Sequence, residues 1–305
     1  MSVAAVVVTY NRRELLFKQI KSIVEEQTLK VDEYYIIDNA SSDDTQKCVN
    51  VYAVDSPVKI SYVQLPINIG GAGGFNYGLK KAYEDGHDWI VLMDDDGRPY
   101  DKFCLEKMFA YIKSYRLSFN DMYLINSLVL FNEKILSFGL NHIEDRDKIL
   151  QLSLDGETIP NLVNPFNGAC VSRGLVKAIG YPNKEFFIKG DEYDYTRRAI
   201  AASAHVFTIL ASRYFHPKVM GSKNKRILGR MVSVHIEAPW KEYYTIRNYV
   251  YSSLQLNKKK DALLYLLLRI YCVFNCKCKK IDTLKMVLKG YVDGKKGILG
   301  PIVRP

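Results

Sequence analysis

Between residues 3 and 93 short apolar runs alternate with amphipathic stretches: Val3–Thr9 then Arg13–Glu26, Glu33–Asp38 then Ser42–Val54, Val58–Leu65 then Phe75–Asp85, and Trp89–Met93. Strands that alternate with helices imply a crossover between neighbouring strands, which predicts a parallel, doubly wound sheet. Such sheets place ligand chemistry beyond the carboxyl ends of their strands. The residues to inspect are therefore Thr9-Tyr-Asn-Arg12 after the first strand, Asp38 after the second and Asp94-Asp-Asp96 after the fourth. Ser41-Ser42-Asp43-Asp44 supplies caps for the helix that follows Asp38.

Three adjacent carboxylates at a strand end repel one another unless a cation joins them. Hard oxygen ligands suit magnesium or manganese, which bridge phosphates, so Asp94 to Asp96 point to a metal-bound nucleotide substrate. A solvated acidic turn is the competing reading. Between the third and fourth strands lies Asn68-Ile-Gly-Gly-Ala-Gly-Gly-Phe-Asn-Tyr-Gly78, read as a glycine-rich loop. It fits neither common glycine motif. From Gly71 and Gly73 the third glycine of a dinucleotide fingerprint falls on Asn76, and the Gly-Lys-Ser/Thr of a P-loop is absent. Its glycines would let backbone approach a ligand and offer N–H groups to anionic oxygens.

Beyond Asp96 the pattern predicts a helix over 101–115, a hairpin of Met122–Phe131 and Lys134–Gly139, a polar loop over 142–165 and a short strand at Asn167–Ser172. Phe186 to Tyr195 reads as a strand running into a helix with acids in its first turn, where Asp191 and Glu192 complement the helix dipole. Helices follow at Trp240–Leu256, Lys259–Phe274 and Asp282–Tyr291. The expected division is a catalytic domain over 1–232 and a helical region over 233–305.

The six cysteines lack paired metal-ligand spacing, and the run Val3 to Val8 is too short for a signal peptide. Reduced thiols in a cytoplasmic protein are expected. The apolar stretch Ala262 to Cys276 is too short to span a bilayer and carries Arg269. The net charge of +10 sits almost wholly in residues 257–305, which hold 12 Lys+Arg against 3 Asp+Glu. Lysines alternating with leucine-rich helical faces favour an anionic membrane surface, and no nucleic acid is expected. The competing uses of that tail are packing on the catalytic domain and a homo-oligomer contact.

Taken in order, Val6-Val-Val-Thr-Tyr-Asn-Arg12, Ile36-Ile-Asp-Asn-Ala-Ser41, Asn68 to Gly78, Asp94-Asp-Asp96 and Asp191-Glu-Tyr-Asp194 resemble glycosyltransferase family 2, inverting enzymes of the GT-A fold, over about residues 3–217. Within it the chain is most similar to galactofuranosyltransferases of the mycobacterial cell-wall type. Those share the Asn-x-Gly-Gly-x-Gly-Gly-Phe run, a triple Asp, Phe-Ile-Lys before an acidic pair, a later His, Trp-x-x-Tyr and Arg-Asn. Here these are Phe187-Ile-Lys-Gly-Asp-Glu-Tyr-Asp-Tyr195, His216, Trp240-Lys-Glu-Tyr243 and Arg247-Asn248.

The resemblance implies an α/β, GT-A type, mostly parallel sheet and a set of roles. Asp94, Asp96 and His216 would hold Mn2+ or Mg2+. Thr9, Asn11, Arg12, Asp38, Asn68, Gly70, Gly71, Gly73, Gly74, Asp95 and Arg247 would meet the nucleotide-sugar donor, expected to be a UDP-sugar. Asn167, Trp240 and Tyr243 would meet the acceptor. The family's base falls on Glu192; close members carry Asp there, so Asp191 stays beside it as the alternative. The implied activity is transfer of galactofuranose from UDP-galactofuranose to a glycan hydroxyl, with a lipid-linked acceptor, in cell-surface polysaccharide synthesis such as O-antigen or capsule. That places the enzyme in the cytoplasm, peripheral on the inner membrane face. The alternatives are a dTDP-rhamnose-dependent rhamnosyltransferase and, from another class, a non-catalytic protein binding nucleotide-sugar or nucleic acid.

Overall fold

Val3–Thr9 forms β1 and is buried at every position, as a strand covered on both faces of a parallel sheet must be. The computed structural model describes residues 1–140, 143–218, 223–227 and 230–304. α1 (Arg13–Ile20) runs into a π-type stretch, Lys21–Glu26, and is followed by β2 (Glu33–Asp38), α2 (Thr45–Ala53), β3 (Lys59–Gln64), α3 (Gly70–Glu84) and β4 (Trp89–Asp94). β1 pairs in parallel with β2 and β4, and β2 with β3.

The chain continues through β5 (Arg98–Pro99), α4 (Cys104–Ser114), β6 (Tyr123–Leu130), β7 (Ile135–Leu140), β8 (Ile143–Asp145), α5 (Arg146–Leu150), β9 (Thr158–Pro160), β10 (Asn167–Ser172) and α6 (Arg173–Ile179). Then come α7 (Asp191–Ala201), β11 (His205–Phe215), the hairpin of β12 (Lys223–Ile227) and β13 (Arg230–Val234), and helices α8 (Pro239–Gln255), α9 (Lys259–Asn275) and α10 (Lys280–Lys296). The main sheet has the order β3-β2-β1-β4-β10-β6-β11-β5. β10 is antiparallel to β4 and β6, whereas β6 and β11 are parallel, so the sheet is mixed and largely parallel.

Three expectations are corrected. The glycine-rich run is not a loop: Gly70 to Gly78 is the start of α3. Phe186 to Gly190 is not a strand, because Phe187, Lys189 and Gly190 take φ values of 65°, 64° and 82°, which no strand accommodates. The supposed polar loop over 142–165 holds β8, α5 and β9; its residue 142 lies outside the described residues.

The chain divides into two units. One comprises Met1–Asn68, Gly74–Tyr181 and Thr196–Lys218; the other comprises Ile69–Gly73, Pro182–Tyr195 and Val219–Pro305. The first is built on the sheet. Its core gathers Val7, Ile20, Tyr34, Ile36, Trp89, Val91, Met93, Met108 and Ile125. There α3 lies close on β1: a Cβ on Gly74 would stand 2.4 Å from Val8 Cγ1, and one on Gly78 2.4 Å from Val6 Cγ1. The second unit is mainly helical, besides the β12–β13 hairpin, with Ile246, Val250, Ala262, Leu266, Val273 and Val287 as its core. Its α8 and α9 are tied by a buried ion pair, Arg269 Nη2 to Glu242 Oε2 at 2.5 Å.

Candidate active site

In the sheet unit the carboxyl ends of three parallel strands carry Thr9, Asp38 and Asp94 side by side. Thr9 Oγ1 donates to Asp95 Oδ2 at 2.9 Å, and Arg12 Nη1 donates to Asp95 Oδ1 at 3.0 Å and Asp96 Oδ2 at 3.2 Å. A two-residue strand then does the decisive work. β5 pairs antiparallel with the end of β11, Arg98 with Phe215 and Pro99 with Tyr214, so the residue after β11 returns to the aspartates. That residue is His216, whose Nε2 stands 3.1 Å from Asp96 Oδ1. Its backbone is fixed by two strands: its N–H donates to Leu130 O at 3.1 Å, and its carbonyl accepts from Ser137 Oγ.

Electrostatics follow from these contacts. Burial raises the Asp95 carboxyl above the usual carboxylate range despite Arg12 and Thr9. For Asp96 burial pulls the same way, but the hydrogen bond and charge of His216, with Arg12, overcome it and hold the carboxyl low. His216 is raised in turn, because Asp96 outweighs the opposing effect of burial.

The donor set fits a divalent cation. Carboxylate oxygens and an imidazole nitrogen are ligands that manganese accepts. His216 Nδ1 lies 2.7 Å from the Pro217 carbonyl, and a proton donated there fixes the tautomer that leaves Nε2 free to ligate. Among the described residues no group of three or more His, Cys, Asp or Glu is already gathered as a metal centre. Asp96 and His216 are brought together, and Asp94, two residues away, is half-buried.

Gln19 escaped the sequence reading. Its Nε2 donates to the carbonyls of Asp94 (2.5 Å) and Gly97 (2.7 Å), and its Oε1 accepts from Tyr34 at 2.7 Å. It therefore fixes the turn that presents the aspartates. The available signal was an amide among Leu16, Ile20 and Ile23 on the buried face of the first helix. Asn11 and Asp38 also shape loops. Asn11, at φ 52°, donates its N–H to Ser41 Oγ and accepts from Ser42 N, both at 2.8 Å. Asp38 is fully buried and accepts from the Ser41 N–H and the Tyr62 hydroxyl. Beside this edge a cleft of about 510 Å³ is lined by Asn11, Arg12, Arg13, Asp43 and Asp44. Asn167 is buried, with its amide nitrogen 3.4 Å from Pro165 O.

In the helical unit the acidic pair opens α7. Asp191 is buried, whereas Glu192 is partly exposed. The loop leading to them is held by a clamp. Asn248 Nδ2 donates to the carbonyls of Phe186 (3.1 Å), Ile188 (3.0 Å) and Lys189 (2.7 Å). Arg247 donates to Phe186 O at 2.9 Å and Gly300 O at 2.6 Å, and its Nε to Asn248 Oδ1 at 2.8 Å. Arg247 and Tyr243, expected at donor and acceptor, have no exposed surface. The Arg247 guanidinium is committed to backbone carbonyls, and the Tyr243 hydroxyl donates to Asp293 at 2.7 Å. Trp240 is partly exposed, edge-on to Tyr244.

The glycine run meets this loop. The Ala72 N–H donates to Phe187 O at 3.1 Å, and a Cβ on Gly70, itself at φ 77°, would stand 1.9 Å from that oxygen. Gly73 lies against Ile69, and only Gly71 among Gly70, Gly71, Gly73 and Gly74 faces open space. Asn68 is partly exposed just before the helix. A helix start carries a partial positive charge, which favours anionic oxygens nearby.

Residues 4–165 match the model of the glycosyl transferase family 2. The chain is 31% identical over 264 residues to the galactofuranosyltransferase GlfT1 of Mycolicibacterium smegmatis, covering 85% of each protein. Among solved structures it resembles Staphylococcus aureus TarS 1-349 in complex with UDP-GlcNAc, with a TM-score of 0.60 and 16% identity over 96% of this chain and 81% of that one. It also resembles the mannosyltransferase PcManGT from Pyrobaculum calidifontis in complex with GDP-Man and Mn2+, with a TM-score of 0.56 and 13% identity over 96% of this chain and 75% of that one. These likenesses agree with the expected GT-A type of fold. A sheet edge built from Thr9, Asp38, the aspartates and His216, on a chain matched over more than half its length, leads to one assignment: the protein belongs to glycosyltransferase family 2.

Proposed function

We propose that this nucleotide-sugar-dependent glycosyltransferase is an inverting galactofuranosyltransferase that uses UDP-galactofuranose and a divalent cation. The observation that carries the donor assignment is the 31% identity to a galactofuranosyltransferase across 85% of both chains. Asp94, Asp96 and His216 would hold the cation, supported by the approach of His216 to Asp96. When bound, the cation supplies positive charge for the leaving diphosphate. Thr9 and Arg12 orient Asp95, and Gln19 orients the carbonyls around it.

Glu192 is the base in this reading. It is the member of the pair with solvent access, so an acceptor hydroxyl can reach it, and as a carboxylate it takes the proton when that oxygen attacks the anomeric carbon. Attack opposite the leaving group inverts that carbon. Arg247 and Asn248 act as positioning residues by fixing the loop before the helix.

The test is a panel of UDP-galactofuranose, UDP-galactopyranose, UDP-GlcNAc, GDP-mannose and dTDP-rhamnose with Mn2+ and a glycan acceptor, read as nucleoside diphosphate release. UDP-galactofuranose is expected to turn over fastest. Turnover of dTDP-rhamnose instead would replace the donor and leave the family assignment intact.

A further inference from the structure

The exposed face of α9 carries no charge between Asp261 and the end of the helix. Leu263, Leu264, Leu267, Tyr271 and Phe274 recur at helical spacing and are 36–57% exposed, while Ala262, Leu266, Arg269, Cys272 and Val273 take the buried side. Five large apolar groups on one solvent-facing stripe exceed the scattered exposure of ordinary surfaces. Exposed lysines bracket the stripe: Lys258, Lys259 and Lys260 at its start, and Lys277, Lys279 and Lys280 just past its end. No helix of the described residues is long and apolar enough to cross a membrane.

We propose that this face of α9 docks on an anionic lipid surface, lying in the plane of the interface with the lysine clusters on the headgroups. An apolar stripe with cations at both ends is what such a helix requires. Two other occupants fit less well. A second copy seated stripe to stripe would bring two sets of lysines together, within a tail of 12 basic and 3 acidic residues, and like charges oppose that contact. A nucleic acid would meet lysines only at the ends, with leucine instead of cations along the stripe. The proposal is independent of donor and acceptor identity.

The experiment is flotation of the full-length protein with vesicles of phosphatidylcholine alone or with about 30% phosphatidylglycerol. Binding to the anionic vesicles only, weakening as salt rises, is expected. Leu264→Gln with Leu267→Gln should lower the partition coefficient at least about tenfold, since both side chains leave the apolar phase. Lys258→Gln with Lys259→Gln and Lys260→Gln should lower it comparably. All these positions are exposed, so both variants should keep the wild-type melting temperature and nucleoside diphosphate release with a soluble acceptor. Failure of the wild type to float with anionic vesicles overturns the proposal, as does equal flotation of the leucine variant. A dimer by light scattering that the leucine variant loses would assign the stripe to a second copy and also overturn it. Absence of turnover with every donor would sink the proposed function and leave the flotation result standing.

Discussion

Asp96 stands where a carboxylate has two available partners. Without a cation it pairs with His216 and Arg12; with one, the same oxygens and the imidazole become ligands, and the carboxyl is already held in its charged form. Removing it deletes a ligand and strands a buried histidine, and the remaining groups are too few for a bridging cation. Asp96→Ala should therefore lose most activity, extra Mn2+ should not restore it, and calorimetry should show weakened Mn2+ binding in the presence of UDP. Normal turnover of that variant, or of the wild type in excess chelator, would remove the metal assignment. The acidic pair separates in the same way. Glu192→Gln keeps shape but cannot accept a proton, so turnover should fall by about 10²–10⁴ with donor affinity nearly unchanged. Asp191→Asn, at the buried neighbour, should cost less; the reverse order would move the base to Asp191.

At the scale of elements, strands with sharp boundaries were legible. β2 and β10 have the predicted limits, and β4 differs by one residue, because apolar runs there end at charges or turn residues. The misses have physical causes. Glycine disfavours helix, yet Gly74 and Gly78 are what lets α3 approach β1, a tertiary demand invisible to local propensity. Phe187 and Ile188 suit a strand by composition, but left-handed residues on both sides of Ile188 turn the chain instead. β11 was not foreseen, since Thr208, Ser212 and Arg213 interrupt its apolar pattern. Arg247, expected at the donor, belongs to a buried Arg-Asn pair that serves main-chain carbonyls of the loop at 186–190, a use that the sequence alone does not distinguish from a ligand contact. Asn248→Ala would remove the side-chain donor of the Ile188 and Lys189 carbonyls, at about 1–3 kcal/mol for each group left unsatisfied, while Phe186 O keeps Arg247, and would loosen the segment before Asp191 and Glu192. Its kcat should fall by about 10–10²-fold, the penalty of displaced catalytic groups, with little change in donor KM. An unchanged kcat would show that the clamp serves only stability.

Across the whole molecule, the fold class followed from alternation, whereas the pairing of His216 with Asp96 could not, since it depends on a two-residue strand meeting the end of an eleven-residue one. Charge also acts at this scale. The chain carries +10 at neutral pH, so protonating carboxylates adds to self-repulsion besides breaking their own contacts. Glu33 is one such group. Burial acts to raise its carboxyl, but the hydrogen bonds from Ser61 and Lys59, with the charge of Lys59, hold it below its ordinary value. Lys59 Nζ donates at 2.9 Å from the neighbouring strand. Asp85 and Asp293 are held low as well, with Lys81 and Tyr35 overcoming burial at the first and Lys289 and Tyr243 at the second. A carboxyl lower in the folded state than in the unfolded one contributes stability that is complete above its unfolded value and disappears as pH falls through the folded value. The melting temperature should thus hold near neutrality and drop progressively below about pH 5, where unfolded carboxylates begin to protonate. Glu33→Gln keeps a partner for Ser61 but cannot titrate, so it should melt lower than wild type at pH 7 and lose less on acidification, bringing the two curves together near pH 3–4, as roughly expected where carboxylates are protonated. Parallel curves from pH 7 to pH 4 would show that Glu33 contributes nothing to the acid sensitivity of the fold.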